Sequence, residues 1–227
     1  SEAELEQLAA GLPGTQYPLV ADAGDREAVE AAVARFIEAA GGLQLAVANA
    51  GVADYGPFRD MTVEAIERMT RINWLGTVYL VAAVLPRMLE RSEGHIVIVS
   101  SGAGHRSFPQ AAAYGATKAA QRMFGEALRH ELAGTGVSLT MVYPGEIATD
   151  LHAHDKDTMP AWYRGGEQAV APERLAEKVI EGVEHDMRSV YYPRLVRVLG
   201  AAHGVSPRVS DAMLRRLRGK TAAPRHD

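Results

Sequence analysis

The stretch Gly94 to Lys118, GHIVIVSSGAGHRSFPQAAAYGATK, constrains the fold more than any other part of the chain. It opens with His95 to Val99, whose β-branched run between a glycine and two serines predicts a short, fully buried strand. It closes on Ala-rich, helix-favouring sequence in which Tyr114 and Lys118 stand four residues apart. That spacing puts the phenol and the ammonium on one helical face, a turn apart. A fixed cation near a phenol favours the phenolate, so the Tyr114 pKa is expected to fall from about 10 towards the operating pH, where it gives and takes protons. Ser101, at the carboxyl end of the strand, is placed to hold a substrate oxygen beside that phenol.

Around this stretch, short apolar runs alternate with longer helical ones. Ser1 to Ala10 has early acidic residues with Leu5 and Leu8, predicting a short amphipathic helix closed by Gly11 and Pro13. Tyr17 to Ala21 predicts a strand with Asp22 at its carboxyl end. Asp25 then caps a helix carrying Val29, Val33, Phe36 and Ile37 on one side. Leu43 to Ala48 predicts the next strand, ending in Asn49-Ala50-Gly51. From Thr62 to Arg91 apolar residues recur at helical spacing behind a capping threonine. Asn73 lies mid-helix, where an asparagine competes for backbone hydrogen bonds and needs a reason. The Tyr114 helix continues through Phe124, Leu128 and Leu132, which are predicted core positions, towards Gly134 and Gly136. Val137 to Tyr143 predicts a strand stopped by Pro144-Gly145, and Pro172 to Asp186 a helix with Leu175, Val179, Ile180 and Val183 inward. Val190 to Tyr192 predicts a last short strand. Asp150 to Ala171 lacks clear periodicity and reads as a partly helical lid over a site.

Strands alternating with helices predict the α/β class, a Rossmann-like, doubly wound parallel sheet with helices on both faces. In such sheets ligands bind beyond the carboxyl ends of strands, near the point where strand order reverses. Asp22, Asn49-Ala50-Gly51, Ser101 and Pro144-Gly145 each follow a predicted strand, so one crevice can collect them. Composition narrows the partners. A chain of 227 residues with 47% hydrophobic residues suits one core and a single domain spanning 1–227. A formal charge of -4 gives no electrostatic reason to propose nucleic acid. The lack of cysteine excludes disulfides, thiolate metal sites and a cysteine nucleophile, and fits a reducing compartment. With no uninterrupted apolar run near about 18 residues and no secretory leader, the expected location is cytoplasmic.

A serine-ended buried strand followed thirteen residues later by YxxxK is more specific than either part, and in it the chain resembles the short-chain dehydrogenase/reductase family. The resemblance runs from about Tyr17 to Tyr192. It implies an oxidoreductase that transfers a hydride between a nicotinamide cofactor, NADP or NAD, and a small-molecule carbonyl or secondary alcohol. The family's four residues for chemistry match Asn73, Ser101, Tyr114 and Lys118. By that resemblance Tyr114 gives the proton and Ser101 orients the oxygen. Lys118 lowers the tyrosine pKa and bonds the nicotinamide ribose, and Asn73 holds a water linking Lys118 to solvent. Ser101 is chosen over Ser100 by its spacing to the tyrosine, which leaves Ser100 to line the cofactor pocket or end the strand. Asn49-Ala50-Gly51 matches the NAG segment beside adenosine ribose, although Ala48 stands where the family often has a second Asn. Asp22 matches a residue that meets the adenine amino group, with a turn former as the alternative. Pro144, Gly145, Ile147 and Thr149 match PGxxxT, with Ile147 and Thr149 expected at the nicotinamide carboxamide. Family members commonly pair the helices matching Thr62 to Arg91 and Gly115 to Ala133, which implies a homodimer or homotetramer.

Several residues carry two readings. Asn73 is alternatively a helix irregularity satisfied by backbone. Glu146 faces solvent in the preferred reading and substrate in the other. His105 and Arg106 border substrate or lie in a surface loop. His152, His154 and Asp155 lack a third ligand at a recognisable spacing and read as solvated lid, so no metal is expected. Residues 206–227 predict a basic amphipathic helix and tail; ordinary packing is preferred over contact with an anionic membrane surface. An inactive binding or scaffold protein on the same fold is the alternative function. Finally, the family's TGxxxGxG turn, which binds pyrophosphate on backbone N–H groups, has no match. Gly102-Ala103-Gly104 leads into a loop, and Gly11 to Gly14 follows a helix. The first βαβ unit is therefore expected to lie outside this sequence, in a longer protein, and with it the residues that distinguish NADP from NAD.

Overall fold

The computed structural model describes residues 2–149, 151, 169–209, 211 and 212. Helix α1 (Glu2–Ala10) buries none of its residues and leaves Leu8 exposed, so its expected apolar side covers nothing within the described residues. Asp25 caps α2 (Arg26–Ala40), its carboxylate accepting from the amides of Glu27 and Ala28 at 2.9 and 3.2 Å. Gly41 ends the helix at φ 76°, the left-handed conformation that glycine adopts without strain. Thr62 caps α3 (Val63–Met69) by accepting from the Ala65 amide at 3.2 Å. The helix continues through a π-helical stretch, Thr70–Leu75, into α4 (Gly76–Arg91).

Strands β1 (Leu45–Ala48), β2 (Gly94–Val99), β3 (Val137–Pro144) and β4 (Ser189–Tyr192) form one parallel sheet in chain order. Each parallel step needs a crossover, supplied by α3–α4, by α5 (Ala112–Glu131) and by α6 (Pro172–Glu184). Alternation along the strands sorts the two faces. Ile96 lies beside Ala46 and Leu139, and Ile98 beside Ala48 and Met141; this row packs with Val81, Val84 and Met88 of α4 and Leu128 of α5. Val97, Val142 and Val190 face the other way, against Leu175, Val179 and Val183 of α6. Helices thus cover both faces, as the α/β reading expects. Val63–Arg91 is long and apolar enough by composition to cross a membrane, yet Val81, Val84 and Met88 lie inside this core. After β4, α7 (Leu195–Val205) lies against β4 and the turn at Gly102–Gly104.

Two expectations need correction. Tyr17 to Ala21 forms no strand and pairs with no other segment, and β1 stands at the edge of the sheet with β2 as its one partner among the described residues. Tyr17 instead packs its ring edge-on against Phe36 at 5.8 Å and donates its hydroxyl to the Ala39 carbonyl at 3.0 Å. Ile180 was expected inward but is 58% exposed, borders the crevice described below, and leaves Leu175, Val179 and Val183 to cover the sheet. Most of the expected lid at 150–171 and of the basic segment at 206–227 lies outside the described residues.

Candidate active site

A crevice of about 500 Å³ opens beyond the carboxyl ends of β1, β2 and β3. Ser101, Tyr114 and Lys118 line it, with Asn49, Gly51, Pro144, Gly145, Ile147 and Thr149. The backbone explains how they meet. Ser101 leaves β2 and its Oγ accepts from the Ala103 amide at 3.1 Å, starting the tight turn Gly102–Gly104 that redirects the chain towards α5. Ser100 is buried and donates its Oγ to the Lys118 carbonyl at 2.7 Å, tying the strand end to the helix. It borders the crevice as well as ending the strand.

Tyr114 is almost fully buried on the first turn of α5, and Lys118 follows one turn later, also buried. The Lys118 Nζ lies 5.8 Å from the Tyr114 ring centroid and donates to the Val99 carbonyl at 3.0 Å. Burial lowers its pKa from 10.5 to about 8. The expected fall in the tyrosine pKa does not occur. Burial raises the Tyr114 phenol above its ordinary 10, while hydrogen bonds with the Ser101 and Tyr55 hydroxyls pull in the other direction. Desolvation of the phenolate outweighs these bonds, and the ammonium is engaged at the strand end.

Asn73 sits in the π-helical stretch and is fully buried. Its Oδ1 accepts from the Val52 amide at 2.7 Å, and its Nδ2 donates to the Val52 carbonyl at 2.9 Å and to the Thr117 Oγ1 at 3.0 Å. Its own carbonyl accepts from the Thr77 hydroxyl and from the Gln121 Nε2, each at 2.9 Å. Both amide hydrogens are therefore engaged with protein acceptors. Asn73 thereby clamps the segment after β1 to α5. A Cβ added at Gly51 would come within 3.3 Å of the Asn73 Oδ1 and 3.5 Å of the Lys118 Nζ. The glycine leaves that approach open, where a Cβ would press on the Asn73 amide.

The remaining expected positions separate. Ala50 lies outside the main crevice and lines a smaller hollow of about 210 Å³ beside Ala21 and Ala23, which Asn49 shares. Asp22 accepts from the Gly24 amide at 2.8 Å, the bond of a turn former. Past β3, Ile147 bridges to Val170, and Gly145 donates to the Tyr192 carbonyl at 2.8 Å, which fixes the PGxxxT loop at the rim. Glu146 is half-buried rather than solvent-facing, with a shielded Oε1 that has no hydrogen-bond partner among the described residues. His105 is partly buried and wedges against the Tyr143 and Tyr191 rings at 4.2 and 5.5 Å, and burial lowers its pKa. Arg106 turns to Asp211 and the Ser107 carbonyl. His152, His154 and Asp155 lie outside the described residues, which contain no group of three or more acidic or histidine side chains able to hold a metal.

Tyr55 and Phe108 escape the sequence reading. The Tyr55 ring meets Tyr114 edge-on at 5.4 Å and stacks on Phe108 at 5.8 Å. The only signal for Tyr55 is an aromatic between Gly51 and Gly56, in a loop without periodicity.

Comparison with known proteins finds relatives in sequence and in fold. The sequence profile of the family described as short chain dehydrogenase matches residues 1–160. An uncharacterized oxidoreductase of Myxococcus xanthus is 39% identical over 155 residues, 68% of this chain and 60% of that protein. The mouse dehydrogenase/reductase SDR family member 7B is 33% identical over 186 residues, 79% of this chain and 58% of that protein. The chain thus spans about three fifths of the length of these relatives. In fold it is similar to a short-chain dehydrogenase from Streptomyces avermitilis, with a TM-score of 0.82 at 24% identity, covering 96% of this chain and 85% of that one.

Proposed function

Because the chain belongs to the short-chain dehydrogenase/reductase family, whose members are NAD(P)-dependent oxidoreductases, we propose that it moves a hydride between NADP or NAD and a small-molecule carbonyl or secondary alcohol. The observation that carries this reading is the meeting of Ser101, Tyr114 and Lys118 on one crevice wall. In the reducing direction Tyr114 gives its hydroxyl proton to the substrate oxygen, and Ser101 holds that oxygen by a hydrogen bond. Lys118 keeps a buried positive charge beside the site, which favours the phenolate left behind. In the oxidising direction the same proton returns to Tyr114. Asn73 acts at one remove, holding the Val52 segment and the Thr117 turn in register.

The residues at the crevice fit the nicotinamide and ribose part of the cofactor. Lys118 presents an ammonium next to the close approach at Gly51, and Asn49, Pro144, Gly145, Ile147 and Thr149 line the same crevice, with Ala50 in the smaller hollow and Asp22 at the distant adenine end. When bound, the cofactor supplies or accepts the hydride. This sequence contains no glycine-rich turn matching the family's pyrophosphate site. The test is a screen of the full-length protein for cofactor reduction and oxidation over ketones, steroids and acyl chains. Turnover with at least one class is expected. Neither turnover nor cofactor binding at millimolar concentration would favour an inactive scaffold instead.

We also propose a homodimer or homotetramer through α4 and α5, whose outward sides expose Leu89 and Met123. Light scattering at tens of micromolar should report a multiple of the protomer mass; a monomer mass would end the idea.

A further inference from the structure

The crevice is not chemically uniform along its length. Next to Ser101 and Tyr114 its wall carries Val52 and Leu151, and both side chains pack against the buried cluster that holds Tyr114 together with Tyr55 and Ala111. Among the described residues, Lys118 and Glu184 are the charged side chains that line the crevice. Helix α6 runs back from the carboxyl end of β3 to the start of β4, so Glu184, its last residue, lies at the far end of the crevice from Ser101. The Lys118 ammonium donates to the Val99 carbonyl and faces Gly51, the side that the proposed function gives to the cofactor.

Backbone donors at this end are taken as well. The Val52 amide donates to the Asn73 Oδ1 at 2.7 Å and the Gly145 amide to the Tyr192 carbonyl at 2.8 Å. The amides of Ala148 and Thr149 donate to the Val170 and Ile147 carbonyls, each at 2.9 Å. Of the arginines in the flanking segments, Arg68 is paired with Asp54 and Arg106 is turned to Asp211. The half-buried carboxylate of Glu146, next in sequence to Gly145, adds negative charge to the rim. An anionic group held against Val52 and Leu151 would thus lose its water and gain neither a cation nor a donor, and an unpaired buried charge is costly.

We propose that the substrate is an uncharged carbonyl compound whose substituent on the carbonyl carbon is apolar: a methyl or aryl group is accepted against Val52 and Leu151, where a carboxylate is refused. This deepens the proposed function and rests on its reading of Ser101 and Tyr114 as the place of the carbonyl oxygen. The reaction keeps its balance: a hydride from the reduced nicotinamide reaches the carbonyl carbon and the Tyr114 proton its oxygen, giving the alcohol and the oxidised cofactor.

The test uses the full-length protein and matched ketones in which one methyl group is exchanged for a carboxylate, acetophenone against benzoylformate and methyl cyclohexyl ketone against cyclohexylglyoxylate. Followed by nicotinamide absorbance, the neutral member should show a kcat/KM about 100-fold or more above that of the carboxylate. Equal values, or a preference for the carboxylates, overturn the proposal. Leu151→Arg supplies the missing cation and should raise kcat/KM for the carboxylates about tenfold, whereas the uncharged Leu151→Gln should not. A folded Leu151→Arg protein with the parent's ratio also overturns it, and the parent's own ratio decides the matter if that variant does not fold. Saturation-transfer NMR reads the same preference without turnover. Acetophenone should receive magnetisation from the protein and benzoylformate should not; equal transfer, none to either, or stronger transfer to benzoylformate overturns the proposal. A protein that binds acetophenone selectively but turns over no ketone would defeat the hydride-transfer reading while leaving this preference standing.

Discussion

Lys118 is enclosed, and burial sets its pKa near 8, below the 10.5 of an exposed lysine. A lysine that holds its proton less tightly when folded disfavours the fold below about pH 8, and the penalty fades as pH rises towards the unfolded value. Against Lys118→Met, the parent's unfolding free energy should therefore improve by on the order of 1–3 kcal/mol between about pH 7.5 and about pH 10. Urea denaturation of both proteins at the two pH values reads this directly, and parallel changes would show that the ammonium carries no such cost. Tyr114, Lys118 and Ser101 were legible in the sequence because helical spacing and a strand end fix where their side chains point. The direction of the tyrosine shift was not legible, since it depends on enclosure by Tyr55, Phe108 and Ala111, which come from two separate loops. Asn73 was legible as an anomaly, while its partners Val52 and Thr117 lie 21 and 44 residues away.

At the scale of elements, the junction between β2 and α5 is the part most sensitive to volume. A Cβ on Gly104 would stand 2.7 Å from both the Lys118 carbonyl oxygen and the Ser100 Oγ, so the turn and the helix must part to admit it. Gly104→Ala should therefore cost about 1–3 kcal/mol of stability and lower turnover by displacing Ser101 from Tyr114. A thermal melt and activity both matching the parent would contradict the close packing of this turn. Most strands and helices were legible from periodicity and caps, as Asp25 and Thr62 show. Tyr17 to Ala21 was misread because β-branched and aromatic content reports only suitability for a sheet, and a strand also needs a neighbour to pair with. Ile180 was misread for a related reason. Helical spacing gives a face, but the width of the sheet beneath it decides which residues that face covers.

Across the whole molecule, a sheet with helices on both faces brings strand ends far apart in sequence to one crevice, where Asn49, Ser101 and Pro144 meet. That convergence was legible because parallel strands all end on the same side. The account's central claim is that Tyr114 moves the proton at this crevice. Its most direct test compares the full-length protein with Tyr114→Phe, following nicotinamide absorbance during turnover of a substrate that the parent accepts. The variant should fold normally and lose on the order of 10²-fold or more in kcat; a variant with the parent's turnover would contradict the claim.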